Sequence, residues 1–303
     1  VMKPARKFHF DASKIAFDEV HRKKIDFNMS RYDLAVETGM KRYKDVEAAK
    51  NQATAIKHEV LSHLDEYLLQ FEKNISSHGA EVLWARNSEE AIAYVEKILV
   101  ENDARLLVKS KSMTTEEIEL NAAAAKLGCE SVETDLGEFI VQTAGEKPYH
   151  IVTPAMHKSK TEIADLFHEK FDTPPDSTPE QLSDFVRRLL RKKFTQAEIG
   201  VTGANFLIAD MGGISVTENE GNALMSTSFP KIHIVFAGIE KIIPKMEQLG
   251  LFYPLLAVHG TGQQMTAYNT IFTGPRQTGE TDGPEKMYVI LLDNGRIGIF
   301  ADD

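Results

Sequence analysis

The chain has 303 residues, 42% of them apolar, and a formal net charge of −10. That composition supplies a sizeable core, and the negative balance argues against nucleic acid or anionic lipid as a partner, since both call for a positive footprint. No apolar run reaches about 18 residues, so no membrane span is expected. The single cysteine, Cys129, excludes a disulfide framework or a four-cysteine metal or cluster site within these residues and fits a reducing, cytoplasmic setting.

Residues 1–45 are polar and weakly periodic, with Arg31, Lys41, Arg42 and Lys44 among Asp33, Glu37 and Asp45. They read as an extended arm followed by a solvated helix. The opening VMKPARKFHFDASK is basic but has no apolar stretch, so it is not a secretory signal. Val1 ahead of Met2 hints at a trimmed or engineered start. Ala49, Ala53, Ile56, Val60, Leu64, Leu68, Phe71 and Ile75 then recur every three or four residues, predicting one long amphipathic helix that stops near Gly79. Residues 1–78, arm and helix, are expected to precede an α/β domain over 79–303.

From there short strands alternate with helices. Strands are expected at Glu81–Trp84, Arg105–Lys109, Glu130–Glu133 and His150–Thr153. Helices are expected from Asn87 or Ser88 through Leu99, from a capping box at Thr114–Glu117 to Gly128, and over Leu136–Thr143 and Thr161–Phe171. Such alternation implies a mainly parallel sheet flanked by helices. A Pro-rich break, DTPPDSTP, precedes a helix with Thr178 as cap, Pro179 at its first position and Gln181 beyond. Its basic end, Arg187, Arg188, Arg191, Lys192 and Lys193, reads as cations complementing a helix C-terminus or as a binding patch. After Gly200 the chain is strand-rich, at Phe206–Ala209, Ile214–Thr217, Ile232–Ala237, Thr266–Phe272 and Met287–Leu292, interrupted by a helix at Ile239–Leu249.

Three stretches could carry chemistry. In the first, a buried strand runs into Lys109, Ser110, Lys111 and Ser112 just before a helix start, a place where open α/β sheets bind anions. Lys109 and Lys111 share parity and would point the same way if the strand persists; the plain alternative is a solvated turn. In the second, ENEGN places Glu218, Asn219, Glu220, Gly221 and Asn222 just past a strand. Enclosed together, the two carboxylates would raise one another's pKa and could serve as acid, base or nucleophile, whereas a plain polar loop would spend them on local backbone groups. In the third, Gly203 and Asn205, and Thr261, Gly262 and Gln263, lie in small polar turns able to offer backbone N–H groups. No dinucleotide or P-loop fingerprint occurs, and no metal site is expected. Cys129, after a helix stop, reads as a small buried hydrophobe rather than a nucleophile.

Taken together, VKSKSMTTEEIELN, VETDLGEFIVQTAGEKPYHIVTPAMHK, VTGANFLIADMGGISVTENEGN, PKIHIVFAGIEKIIP, HGTGQQMTAYNTIFTGPR and LLDNGR resemble the LUD domain of the lactate-utilisation protein B (LutB) family, from about residue 50 to the end. The resemblance implies a fold like that of the NagB/RpiA/CoA-transferase superfamily. It also implies a cytoplasmic role in oxidising L-lactate to pyruvate alongside two partners, an iron–sulfur protein and a second LUD protein. In that family a cysteine-rich ferredoxin-like segment holding [4Fe–4S] clusters follows the LUD part. Here the sequence stops at GRIGIFADD, so the expectation is a truncated chain or a LUD-only relative, with no cofactor in this chain and [4Fe–4S] in the full-length protein. Asp210–Met211–Gly212 also lacks a threonine that the family often carries.

ENEG at 218–221 is similar to the Glu–Asn–Gly-type turn whose glutamate attacks acyl thioesters in class I CoA-transferases. Three functions are therefore expected to compete. One is a subunit of a lactate-oxidising system that binds a small anionic ligand, rather than a catalyst alone. Another is a small-molecule enzyme of the isomerase/CoA-transferase kind, with Glu218 or Glu220 as its catalytic group. The last is a scaffold for partner proteins.

Overall fold

The computed structural model describes residues 4–300. The chain opens with four helices: α1 (Pro4–Ala16), α2 (Glu19–Met40), α3 (Val46–Ser62) and α4 (Leu64–Ser77). The expected extended arm is thus helical. Asp18 starts α2, its carboxylate accepting from the N–H groups of Val20 and His21. The single long helix expected over 49–75 is two helices that meet at His63, whose backbone is non-helical (φ −135°, ψ 37°). The apolar stripe survives the break, because Val60, Leu68, Phe71 and Ile75 all enter one core.

The middle of the chain follows as β1 (Glu81–Ala85), α5 (Ser88–Glu101), β2 (Leu106–Lys109), α6 (Met113–Glu117), α7 (Leu120–Lys126), β3 (Glu130–Glu133), α8 (Leu136–Thr143), α9 (Lys160–Phe171) and α10 (Pro179–Gln196). The helix expected to run from Thr114 to Gly128 is divided at Glu119, which takes a left-handed conformation (φ 55°), and its cap is Ser112 rather than Thr114. His150–Thr153 is no strand. The His150 ring nitrogen Nδ1 accepts from the N–H groups of Val152 and Thr153, which removes the donors that a ladder would use. At the basic end of α10, Lys193 pairs with Glu130 of β3 at 2.7 Å.

The last third contains β4 (Ile199–Gly203), β5 (Phe206–Ile208), β6 (Gly213–Glu218), α11 (Asn222–Ser228), β7 (Ile232–Gly238), β8 (Ile242–Ile243), α12 (Leu249–Thr261), β9 (Tyr268–Phe272), β10 (Lys286–Leu292) and α13 (Arg296–Phe300). Where a helix was expected at Ile239–Leu249, the chain makes a 3-10 turn, the short strand β8 and a second 3-10 turn. Pro244 cannot continue a helix, and the fully buried Ile242 and Ile243 pair in parallel with β5.

The mainly parallel sheet flanked by helices is present. Six strands lie in the order β1-β10-β7-β4-β2-β3, all parallel, and β8-β5-β6-β9 form a second, mixed sheet of four. Alternation sorts the side chains of the large sheet. Leu107, Val201, Ile234 and Ile290 face α5 and α7. On the other face, Val108 and Val132 meet α8, α9 and α10, while Val235, Val289 and Leu291 meet α4 and the second sheet. Parallel strands covered on both sides read as nearly continuous apolar runs, as IHIVFAG and KMYVILL do.

Where β4 passes beneath α11 there is room for glycine alone: a Cβ on Gly200 would stand 1.7 Å from the carbonyl oxygen of Ser226. Gly200→Ala should therefore force β4 and α11 apart and cost about 3 kcal/mol or more, read as a lower urea midpoint; an unchanged midpoint would contradict this packing.

Candidate functional site

The chain leaves β2 towards β3 and leaves β4 towards β7, although β2 and β4 are neighbours in the sheet. Connections that diverge from adjacent parallel strands open a crevice at their carboxyl ends. A cavity of about 630 Å³ lies there. Its rim comes from the corner after β2 (Ser110, Lys111, Ser112), the corner after β3 (Asp135, Leu136, Gly137, Ile140), the loop Ile151–Met156, the turn after β4 (Gly203, Asn205), the loop after β6 (Glu218, Asn219, Glu220, Asn222) and the end of α12 (Thr261). The lysine–serine corner and the paired-glutamate loop, separated by about a hundred residues of sequence, share this hollow.

Four candidate residues lie outside the lining: Lys109, Gly221, Gly262 and Gln263. Lys109 and Lys111 do not point the same way. β2 ends at Lys109, so parity fails beyond it. Lys109 follows Leu107 into the interior with no exposure, and its Nζ lies 2.8 Å from Glu133 Oε1 and 2.9 Å from both Glu116 Oε1 and Thr115 Oγ1. Lys111 turns to the cavity instead, 3.0 Å from Asp135 Oδ2, and donates to the carbonyl of Val152 at 3.3 Å. The corner therefore brings one lysine to the cavity, already paired.

The two loop glutamates have different tasks. Gly221, with φ of 74°, turns the chain directly into α11. Glu218 folds over that helix start, its two carboxylate oxygens accepting from Ala223 N–H at 2.6 Å and Leu224 N–H at 2.9 Å. Burial nonetheless raises its pKa above the ordinary carboxylate value. Glu220 has one long contact, 3.4 Å from Leu136 N–H. Partial burial of its carboxyl group and then the charge of Asp135 raise its pKa, with Glu218 a lesser cause. Glu220 is thus the freer carboxyl group.

The amides mostly hold walls in place. Asn219 and Gln263 exchange side-chain hydrogen bonds of 2.9 and 3.1 Å, and Thr261 donates to Gln263 at 2.6 Å, tying the loop after β6 to the end of α12. Asn222 reaches Thr134 at 3.4 Å. Asn205 accepts from Thr217 N–H through Oδ1 at 2.8 Å, which leaves its amide N–H2 for the cavity. From outside, α2 braces two walls: Asn28 donates to the carbonyl of Met156 at 3.0 Å, and Tyr32 to that of His259 at 2.7 Å.

Sequence reasoning passed over Asp135, Glu138 and the loop Ile151–Met156. Asp135 was visible as an acidic residue between a strand and a helix. It caps α8, accepting from Gly137 and Glu138 N–H groups, while its other oxygen holds Lys111. Glu138 is buried beside Glu133, and neither of its oxygens has a protein partner. Burial, followed by the charge of Glu133, pushes its pKa up to about 9. Burial alone would disfavour the Lys109 ammonium, but Glu133, Glu116 and Glu138 more than offset it and hold that pKa above its ordinary value. Among the described residues no group of three or more His, Cys, Asp or Glu side chains is placed to hold a metal ion. Cys129 is buried, which pushes its thiol up to about 11, so it is no nucleophile.

A model of the LUD domain family matches residues 68–292. The chain is 45% identical over 247 residues to lactate utilization protein B of Bacillus pumilus (strain SAFR-032), covering 81% of this chain and 52% of that protein. It is 43% identical over 249 residues to the protein of that name from Anoxybacillus flavithermus, with shares of 82% and 53%. It is 43% identical over 260 residues to that of Lysinibacillus sphaericus (strain C3-41), with shares of 86% and 55%. The chain spans about half the length of the curated relatives it matches. Among solved structures, a DUF162 family protein from Deinococcus radiodurans aligns with a TM-score of 0.43 and 17% identity over 76% of this chain and 98% of that one.

The buried carboxyl group makes stability depend on pH. Glu138 binds a proton in the folded chain up to about pH 9 but in the unfolded chain only up to about 4.5. Between those values the folded state carries the extra proton, so stability falls as pH rises. Glu138→Gln, neutral throughout, should remove that slope and stabilise the protein at neutral pH by roughly 1–3 kcal/mol in urea unfolding. Lys109→Met, which strands Glu133 and Glu116, should cost about 3–5 kcal/mol. A destabilised Glu138→Gln variant with wild-type pH dependence would show that Glu138 is ionised.

Proposed function

The chain belongs to the LUD domain family, and from that premise we propose that it acts in lactate utilisation in the cytoplasm, as the LUD part of a protein that serves oxidation of L-lactate to pyruvate. The observation that carries this reading is the 42–45% identity to proteins named lactate utilization protein B over more than four-fifths of the chain. The cavity at the sheet's carboxyl end is the natural seat for a small carboxylate of that reaction, with Lys111 as the cation and the Asn205 amide as a donor.

Electron transfer in such a system needs groups held elsewhere. A [4Fe–4S] cluster takes four thiolates, and the one cysteine of this sequence, buried and with a raised pKa, does not fit it. We therefore assign the cluster to other segments or to partner proteins, an iron–sulfur protein and a second LUD protein. No described helix is long and apolar enough to cross a membrane.

A second reading, a small-molecule enzyme of the isomerase/CoA-transferase kind, draws support from Glu220, a carboxyl group with one weak contact in a cavity of ligand size. It assigns no such role to Glu218, whose oxygens are spent on α11.

Deleting the gene should abolish growth on L-lactate as sole carbon source while sparing growth on glucose, and the wild-type gene should restore it. Undiminished growth of the deletion strain on lactate would sink the proposal. Turnover of a sugar phosphate or acyl-CoA by the purified chain, lost in Glu220→Gln, would favour the second reading.

A further inference from the structure

The charged groups lining the cavity do not balance. Asp135, Glu218 and Glu220 face Lys111 and Lys241. Lys241 stands 3.7 Å from Glu240, outside the lining, and Lys111 is already paired with Asp135. A ligand carboxylate that reaches Lys111 therefore enters a space that holds more negative than positive charge. Like charges in a partly enclosed site cannot all stay ionised without a large cost.

We propose that the cavity binds a monocarboxylate together with one proton, and that Glu220 holds that proton. The proposal rests on the reading of the cavity as a carboxylate site. It follows from comparing the three acids. Asp135 pairs with Lys111 at 3.0 Å and accepts from the N–H groups of Gly137 and Glu138 at 2.9 and 3.2 Å. Glu218 is held by two N–H groups at the start of α11. Both would lose charge-assisted hydrogen bonds on protonation. Glu220, 3.4 Å from a single N–H group, would lose almost nothing. The charged groups that face it are Asp135 from the corner after β3, Lys111 from the corner after β2 and Glu218 from β6. Two of those three are negative, and so is the incoming ligand.

Protonated Glu220 changes from an acceptor into a donor. Its O–H is then available to a ligand carboxylate oxygen whose other oxygen meets Lys111, so the group that would repel the ligand comes to bind it. The proton comes from solvent and no covalent bond changes. Binding and proton uptake are linked: affinity falls as pH rises between the Glu220 pKa of the free cavity and the higher one of the filled cavity, by up to about tenfold per pH unit. The site then discriminates by charge, since a second negative charge on the ligand has no second weakly held carboxyl group to neutralise it.

Calorimetric titration of the full chain with pyruvate and with L-lactate, from about pH 5 to 8 in pairs of buffers with different ionisation heats, reads this directly. The wild type should take up as much as one proton per ligand bound and lose affinity as pH rises. Glu220→Gln and Glu220→Ala, at a position exposed on the cavity mouth and so tolerant of exchange, should take up none and give a flat pH profile, with Gln keeping the hydrogen bond and binding more tightly than Ala. Binding without uptake, or uptake that survives in both variants, overturns the proposal and leaves the carboxylate reading standing. No binding of either acid by wild type or variants at any pH removes that reading and the proposal with it.

Discussion

A lysine with no access to water must be neutralised where it stands, and the neutralisation of Lys109 fixes the floor of the cavity. An ammonium group in that position is tolerable because Glu133 from the neighbouring strand and Glu116 and Thr115 from the next helix all converge on it. Three elements are thereby clamped at the point where β2 ends. The carbonyl of the same residue accepts from both the N–H and the hydroxyl of Thr134, each at 2.9 Å, so the chain after β3 is pinned to the chain after β2. The two corners that supply Lys111 and Asp135 thus hang from one residue. Glu138 completes the cluster, and its burial, followed by the charge of Glu133, favours the neutral form of its carboxyl group.

Above that floor, short side chains spend their hydrogen bonds on the backbone of distant segments. Glu218 closes α11, Asn219 and Gln263 join two loops across the mouth, and α2 lies over the outside, holding the 151–156 loop through Asn28 and the end of α12 through Tyr32, with Arg42 just beyond α2 reaching the carbonyl of Gly262. Gly39 lets α2 come this close: a Cβ there would stand 2.5 Å from Val258 Cγ2 and 2.6 Å from the Gly262 carbonyl oxygen. Most of the polar residues around the hollow therefore shape it, and few are left to meet an occupant. Lys111, Glu220 and the Asn205 amide are among those that keep unspent or weakly spent capacity.

How much of this was legible in the sequence follows from how local each signal is. Strands β1 to β3 and helices α5, α8, α9 and α10 could be read because each carries its own cap or break; Thr178, Pro179 and Gln181 mark the start of α10 and do form a reciprocal cap there. The strand β4 was passed over and its end, with Gly203, read as a small polar turn, since IGVTG is short, glycine-bearing and polar at its end. Helix α12 was missed because LGLFYPLLAVHGT is apolar on every side and contains Pro254, so no period of 3.6 stands out. In the site, the corners were visible as strand-to-helix junctions, and the ENEGN loop as a concentration of acids and amides. Which lysine turns inward was not, because alternation has meaning only while a strand lasts. Which glutamate is spent was not either, because a carboxylate that caps the helix of its own loop looks the same in sequence as one that faces a ligand.

The difference between two lysines and one at the corner after β2 bears on what kind of molecule the hollow suits, since the other lining lysine, Lys241, stands 3.7 Å from Glu240. Had both Lys109 and Lys111 reached it, a phosphate or a longer polyanion would have met matching charge. With Lys109 withdrawn into its own cluster and Lys111 shared with Asp135, each negative charge that enters must be offset by a proton on a cavity acid or by leaving some of the ligand in solvent. A dianion would require two such protons, and of the three acids Asp135 would give up its contact with Lys111, and Glu218 one of its backbone hydrogen bonds, to accept one. The volume of about 630 Å³ would admit something much larger than a three-carbon acid, so size does not set the limit. Charge does, and the arrangement favours a small monoanion with an apolar flank for the Ile140, Val152 and Pro154 wall over any phosphorylated metabolite of similar bulk.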